Sequence, residues 1–96
     1  MKAIYKAPGK PAQLVELPQT AAAARRKLGG EFEINPALHG AQVLSLANTE
    51  NQPFNVHFLA GTYCGPILVV GKGENGEMKD LSERLSNLIL LALSKG

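Results

Sequence analysis

The side chains in this sequence that could perform covalent chemistry are Cys64 and its two potential partners, Tyr63 and His57. A cysteine acts as a nucleophile when a histidine lies within hydrogen-bonding distance and a third group orients that base. His57 can reach Cys64 only if the strands that carry them are neighbours, and strand alternation places His57 on a polar face. We therefore expect a small buried thiol, a surface histidine and no catalytic residue. A small enzyme that uses Tyr63, Cys64 and His57 stays an alternative.

Candidate ligands for a metal ion or a cofactor are sparse. The sequence has two histidines, His39 and His57, and one cysteine, so it contains neither a thiolate zinc cluster nor an internal disulfide. Residues 71–76 match the G-x-G-x-x-G pattern of dinucleotide-binding loops. Three further residues separate this loop from the expected helix start, and Glu74 and Glu77 would repel a phosphate. We expect a turn that binds no nucleotide, and no metal or cofactor.

Basic residues raise the alternative of nucleic-acid binding. Arg25, Arg26 and Lys27 are consecutive and could form a basic face with lysines near the N-terminus. Three consecutive helical positions spread over about 200° of a helix, so they cannot all contact one ligand. The chain has ten basic and eight acidic residues, and such a small excess gives weak non-specific binding to phosphates. A solvated helix end is expected, and a nucleic-acid-binding accessory factor is kept as an alternative function.

Length and composition predict one domain over residues 1–96. The chain is 45% hydrophobic and 19% charged, as in globular proteins. Aromatic residues make up 5%, which leaves few platforms for stacking bases. The N-terminus has no signal-peptide pattern, and the longest apolar run, residues 88–93, is shorter than the roughly 20 residues that span a bilayer. A cytoplasmic protein without membrane contact is expected, which fits the single cysteine.

Glycine and proline recur at intervals of about ten residues, which is typical of short strands and turns. Within residues 54–59, the period of two predicts that Phe54, Val56 and Phe58 face the core and that Asn55 faces away. Residues 66–70 are apolar on both faces, which predicts a central strand. The predicted strands are residues 2–6, 12–17, 31–34, 41–47, 54–59 and 66–70.

Two helices complete the predicted fold. Thr20 is a good N-cap for an alanine-rich helix over residues 21–28, which we expect to pack through Ala21, Ala24 and Leu28. Together with the strands, this predicts an α+β domain with a mostly antiparallel sheet of five or six strands and two helices.

The last helix is expected to start near Asp80, because Asp80 and Glu83 have the spacing of a capping box. Its predicted buried stripe consists of Leu81, Leu85, Leu88 and Ala92.

The order of these turns and strands resembles a known family. Four features follow one another in the sequence. They are a helix that ends in Gly-Gly, an acidic-aromatic strand (residues 31–34), a loop ending in Pro53-Phe54-Asn55 and a glycine turn into residues 65–71. An acidic turn and a Leu-Ser helix come after them. In this order, the elements resemble the family called domain of unknown function 3846 over nearly the whole chain. The resemblance implies a small bacterial protein of the kind often carried by phages and mobile elements, and it provides no assigned catalytic residue to carry over. Val56 departs from the family pattern, where a basic residue is common.

The second half of the last helix is apolar on all sides. Leu90 lies about 180° from Leu81 around a helix, and a domain this small has little structure to cover both faces. We therefore expect Leu90, Leu91 and Leu93 to contact a second copy of the chain or a protein partner. The predicted function is that of a non-enzymatic accessory or binding protein that acts through protein contacts, as a homo-oligomer or with another protein.

Overall fold

A computed structural model describes residues 1–59 and 61–94. The described elements, in chain order, are β1 (Lys2–Lys6), β2 (Gln13–Glu16), α1 (Ala21–Leu28), β3 (Phe32–Pro36), β4 (Ala41–Leu46), β5 (Phe54–Phe58), β6 (Gly61–Cys64), β7 (Ile67–Lys72), β8 (Met78–Lys79) and α2 (Glu83–Ser94). Neither of these helices is long and apolar enough to cross a membrane.

The main sheet has six strands in the order β2-β1-β7-β4-β3, and β8 pairs with the end of β7. All of these pairs are antiparallel, and β5 and β6 form a separate hairpin. Strand β7 lies between β1 and β4, and its residues Ile67 to Gly71 are buried. The predicted α+β class and the central position of this strand are therefore confirmed.

The sheet is covered on both faces, because successive residues of a strand point to opposite sides. Helix α1 packs on one face, and α2 and the β5–β6 hairpin pack on the other. The α1-side core contains Ala3, Ala24, Leu28, Leu44, Leu46, Leu68 and Val70. The α2-side core contains Ile4, Ala41, Val43, Val56, Phe58, Ile67, Val69, Leu81, Ile89 and Leu93. Burial on both faces explains why the central strand is apolar without alternation.

Helix α1 has the predicted N-cap and a slightly different buried stripe. The Ala23 backbone N–H donates to Thr20 Oγ1 at 3.1 Å, and Gly29 ends the helix in the left-handed conformation. Ala24 and Leu28 are buried as predicted, but Ala23 joins them and Ala21 is exposed. The prediction was wrong at Ala21, the first residue of α1, because the buried contacts of this helix begin at Ala23.

The edge strand β3 is only partly buried. Phe32 and Ile34 pair with Leu46 and Leu44, which belong to the α1-side core. Phe32 packs partly against that core, whereas Ile34 is 55% exposed. Strand β3 ends the sheet on this side, so Ile34 has less cover than a residue of a central strand.

The alternation of β5 is broken by a bulge between Phe54 and Val56. Val56 and Phe58 are buried as predicted, but Phe54 is 51% exposed and Asn55 is buried. The predicted facing of Phe54 and Asn55 was wrong because a bulge inserts one residue into the strand and shifts the positions before it to the other face.

Helix α2 starts at Glu83, and its N-cap is Ser82. The Leu85 N–H donates to Ser82 Oγ at 3.2 Å, and the Ser86 N–H donates to the Ser82 carbonyl at 2.8 Å. Asp80 instead accepts from the Lys2 backbone N–H at 2.9 Å. The capping box predicted at Asp80 was wrong because the chain stays extended through Leu81, whose N–H donates to the Lys2 carbonyl.

Candidate functional site

The β5–β6 hairpin brings His57 and Cys64 onto neighbouring strands. Phe54 lies opposite Cys64, and His57 lies opposite Thr62. Strand β6 is not among the strands that the sequence predicted. Alternation places Thr62 and Cys64 on the same face of β6. His57 Nδ1 and Thr62 Oγ1 share a hydrogen bond of 3.0 Å, and the His57 ring centroid lies 4.9 Å from that of Phe54.

The hairpin turns Tyr63 away from the other two residues of the alternative enzyme. His57 is exposed and directs its hydrogen bond to Thr62, and Cys64 is half-buried. Tyr63 lies on the opposite face of β6 and packs against the α2-side core. The hairpin therefore presents an exposed aromatic–imidazole pair beside a half-buried thiol, with the phenol turned inwards. The signal that could have revealed this hairpin is the alternation of residues 61–64, which the glycines obscure.

The Tyr63 ring covers Gly61, since a Cβ built on Gly61 would lie 2.8 Å from the Tyr63 hydroxyl oxygen. Burial raises the pKa of Tyr63 above its ordinary value of 10.0, because desolvation disfavours the phenolate.

We expect this raised pKa to make the domain less stable in alkaline solution. The folded state holds the Tyr63 proton more tightly than the unfolded state does, so its contribution to the free energy of unfolding is complete below about pH 10 and is lost as pH rises through the folded-state pKa. Urea unfolding across this range should show a steeper loss for the native protein than for Tyr63→Phe. If the free energy of unfolding falls equally with pH in both proteins, Tyr63 does not contribute to the loss of stability in alkaline solution.

The bulge in β5 places the Asn55 amide beside a buried lysine. Lys6 is only 7% exposed, and its Nζ donates to Asn55 Oδ1 at 2.7 Å. Asn55 Nδ2 donates to the carbonyls of Lys6 at 2.9 Å and Gly65 at 2.8 Å. The two ion pairs found among the described residues do not include Lys6. An amide thus holds the ammonium group and ties β5 to β1 and to the turn before β7. The alternation of residues 54–59 in the sequence does not indicate this hydrogen-bond network between Lys6 and Asn55.

The predicted basic cluster is dispersed around the end of α1. Arg25 Nε lies 3.6 Å from Glu31 Oε1, and Lys27 Nζ lies 4.4 Å from the centroid of the Tyr5 ring. Arg26 is exposed. Two of the three cations therefore have partners within the domain, through an exposed ion pair and a cation–π contact.

The glycine loop of residues 71–76 belongs to the β7–β8 hairpin. The Gly73 N–H donates to the Glu77 carbonyl at 2.9 Å, and the Glu77 carboxylate accepts from the Asn75 N–H at 3.0 Å. The loop leads into strand β8 and not into a helix, so it lacks the helix N-terminus on which a dinucleotide pyrophosphate lies.

His39 lies apart from the other candidate residues, in a cleft of about 490 Å³ that Lys72 and Glu74 also line. Across residues 1–59 and 61–94, His, Cys, Asp and Glu side chains form no group of three or more that could hold a metal ion.

Helix α2 buries a different face from the predicted one. Ser86, Ile89 and Leu93 are buried, whereas Leu88 is 48% exposed and Ala92 is also exposed. The predicted stripe was therefore wrong at Leu88 and Ala92, because its phase was counted from Leu81, which precedes the helix. Leu81 and Leu85 do contact the α2-side core.

The three leucines predicted to form an interface have different environments. Leu93 belongs to the α2-side core, and Leu90 packs partly against it. Leu91 is 57% exposed. It lies about one turn from Leu88 on the side of α2 that faces away from the sheet. We call Leu88 and Leu91 the outer α2 face.

No family model matches this chain, and neither a curated protein nor a solved structure resembles it significantly. The resemblance to the domain of unknown function 3846 stays a prediction.

Proposed function

We propose that this chain is a non-enzymatic binding protein that acts through protein contacts, and that its partner on the outer α2 face is a second copy of itself. The observation that carries this proposal is the exposure of Leu88 (48%) and Leu91 (57%) on a helix whose opposite side packs into the core. Surface helices ordinarily present polar side chains there, and neighbouring exposed apolar side chains are typical of contact surfaces.

The surface around these leucines is large enough for a dimer. Helix α2 and the β5–β6 hairpin cover the same side of the sheet and contact each other. The outer side of the hairpin carries Phe54, which is 51% exposed. The two longest extents of the molecule are 33 and 29 Å, and each partner in a stable interface contributes about 800 Å². One broad side of the domain can supply that area.

The outer α2 face by itself stabilises a dimer only weakly. Burying a whole leucine side chain contributes about 1.5–3 kcal/mol, and these side chains are already about half buried. Four such leucines across a two-fold axis would contribute roughly 3–6 kcal/mol, which is at the low end of the cost of association, about 4–15 kcal/mol. We therefore expect association that depends on concentration and also involves Phe54.

Sedimentation velocity from micromolar to millimolar concentration tests this proposal. The weight-average mass should rise above the 10.2 kDa of the monomer, and Leu91→Ser should return it towards that value. Leu14→Ser is the matched control, because Leu14 is also 57% exposed but lies on strand β2. Circular dichroism should show that both variants stay folded.

A native chain that sediments as a monomer at every concentration would contradict self-association. If Leu14→Ser lowers the mass and Leu91→Ser does not, the contact runs through β2, and the outer α2 face is not the interface.

A further inference from the structure

A trough runs between α2 and the edge strand β2. The pairing of Ile4 with Leu14 and of Lys2 with Glu16 places Leu14 and Glu16 on the side of the sheet that α2 covers. Helix α2 and its neighbours bury Ile4 completely but leave Leu14 57% exposed. The face of β2 that points towards α2 therefore forms an open floor beside the helix. We call this the β2–α2 trough.

Two cavities, of about 730 Å³ and about 310 Å³, lie one after the other along the trough. Leu14 on β2 lines the first, and Ala12, which immediately precedes β2, lines the second. On the helix, Ser86 lines the first and Leu90 lines the second, about one turn apart. Helix α2 has 12 residues and is thus about 18 Å long. That length corresponds to about five residues of an extended chain.

Charge is distributed unequally along the trough. The end near the start of α2 carries Glu16 and Glu83, with Asp80 and Lys2 beside them. Asp80 accepts from the Lys2 backbone N–H and lies 3.9 Å from the N-terminal ammonium group. Glu16 and Glu83 are exposed, so this end is acidic overall.

The opposite end of the trough carries Lys6 and Lys10, with Leu90 and Leu93 on its apolar wall. The buried Lys6 ammonium group is held by the neutral Asn55 amide. This end is therefore basic, and the trough is polarised from acidic to basic along its length.

Strand β2 also offers backbone partners to a ligand. It stands at the end of the strand order in the described sheet, so the N–H and C=O groups on its outer edge have no neighbouring strand. Extended peptides add to such edges by main-chain hydrogen bonds, and their alternate side chains enter the adjacent groove.

We propose that the β2–α2 trough binds an extended peptide segment of a partner protein, antiparallel to β2, with the pattern basic–x–apolar–x–acidic. In this register the basic side chain lies beside Glu16, the apolar one beside Leu14, and the acidic one beside Ala12, towards Lys6 and Lys10. The period of two follows from strand geometry, and the order of charges is complementary to the trough. This surface differs from the outer α2 face, so the proposal goes beyond self-association.

A pair of fluorescent peptides tests the charge order. The forward probe is acetyl-Gly-Lys-Thr-Val-Thr-Glu-Gly-amide, and the reversed probe exchanges its Lys and Glu. In anisotropy titrations at low salt, the forward peptide should bind saturably and the reversed peptide at least about tenfold more weakly, which corresponds to about 1.4 kcal/mol. Failure of the forward peptide to bind, or equal binding of both peptides, overturns the proposal.

Variants of the protein test the register. The double variant Glu16→Lys and Lys10→Glu exchanges charge between the two ends and should reverse the preference between the peptides. Leu14→Ser should lower the affinity for the forward peptide by about tenfold, whereas Leu91→Ser should leave that affinity unchanged. An unchanged preference in the double variant overturns the register.

The substitutions of Leu14 and Leu91 also distinguish self-association from peptide binding. Suppose that the native chain dimerises, that Leu14→Ser abolishes the dimer, and that neither peptide competes with dimer formation. A second copy then occupies the trough, and the peptide proposal fails. If only Leu91→Ser affects the dimer while Leu14→Ser affects the peptide, both proposals are supported.

Discussion

Gly71→Ala should remove most of the stability of the domain, or unfold it. Gly71 is buried in β7, between Ala41 on β4 and Lys79 on β8. A Cβ at this position would overlap the backbone carbonyl of Asp80 and lie 2.9 Å from the Lys79 carbonyl oxygen. Backbone atoms cannot rotate away as a side chain can, so the β7–β8 pairing would have to separate. We expect a loss of about 3 kcal/mol or more in the free energy of unfolding.

Gly73→Ala is the matched control two residues along the same hairpin. A Cβ on Gly73 would also meet a neighbour, but that neighbour is the carboxylate of the exposed Glu77 side chain. Rotation of Glu77 relieves the contact and gives up only its hydrogen bond from the Asn75 N–H. The expected loss is at most about 1 kcal/mol.

Thermal unfolding compares the two substitutions directly. For a domain of this size, 1 kcal/mol shifts Tm by roughly 4–8 °C, so Gly71→Ala should lower Tm by roughly 12 °C or more and Gly73→Ala by less than about 8 °C. Equal shifts would mean that the segment around Asp80 moves aside, and the close approach of the two backbones would then not be a constraint on folding.

The same glycines show how far sequence patterns reach. The sequence pattern of residues 71–76 matches a nucleotide-binding loop. In the structure, however, Gly71 is needed because the backbone of Asp80 passes too close to leave room for a Cβ. This constraint comes from a contact between two separate segments of the chain. Features fixed by neighbouring residues were predicted correctly, such as the Thr20 N-cap and the central apolar strand. Their signals are short-range hydrogen bonding and continuous hydrophobicity.

Features fixed by distant contacts could not be predicted. The bulge at Asn55 depends on the carbonyls of Lys6 and Gly65, and the phase of α2 depends on the bond between Leu81 and Lys2. The β2–α2 trough likewise requires Leu14 and Ser86 to be neighbours in space. In a single sequence, no periodicity records that these segments meet.

Asn55→Ala is the second substitution with a large expected effect. It removes the hydrogen-bond acceptor of the buried Lys6 ammonium group and the donors to the carbonyls of Lys6 and Gly65. A buried charge left without its partner costs more than the hydrogen bond itself is worth. We expect the free energy of unfolding to fall by about 3 kcal/mol or more, as measured by urea denaturation.

A double-mutant cycle with Lys6→Met separates the charge from the packing. Methionine keeps most of the lysine volume and removes the ammonium group, so Asn55→Ala should cost at least about 1.5 kcal/mol less in the Lys6→Met background than in the native protein. Additive losses would contradict a stabilising contact between Lys6 and Asn55. If Lys6→Met by itself leaves stability unchanged, as apolar replacement of a buried charge often does, the ammonium group is not required for folding.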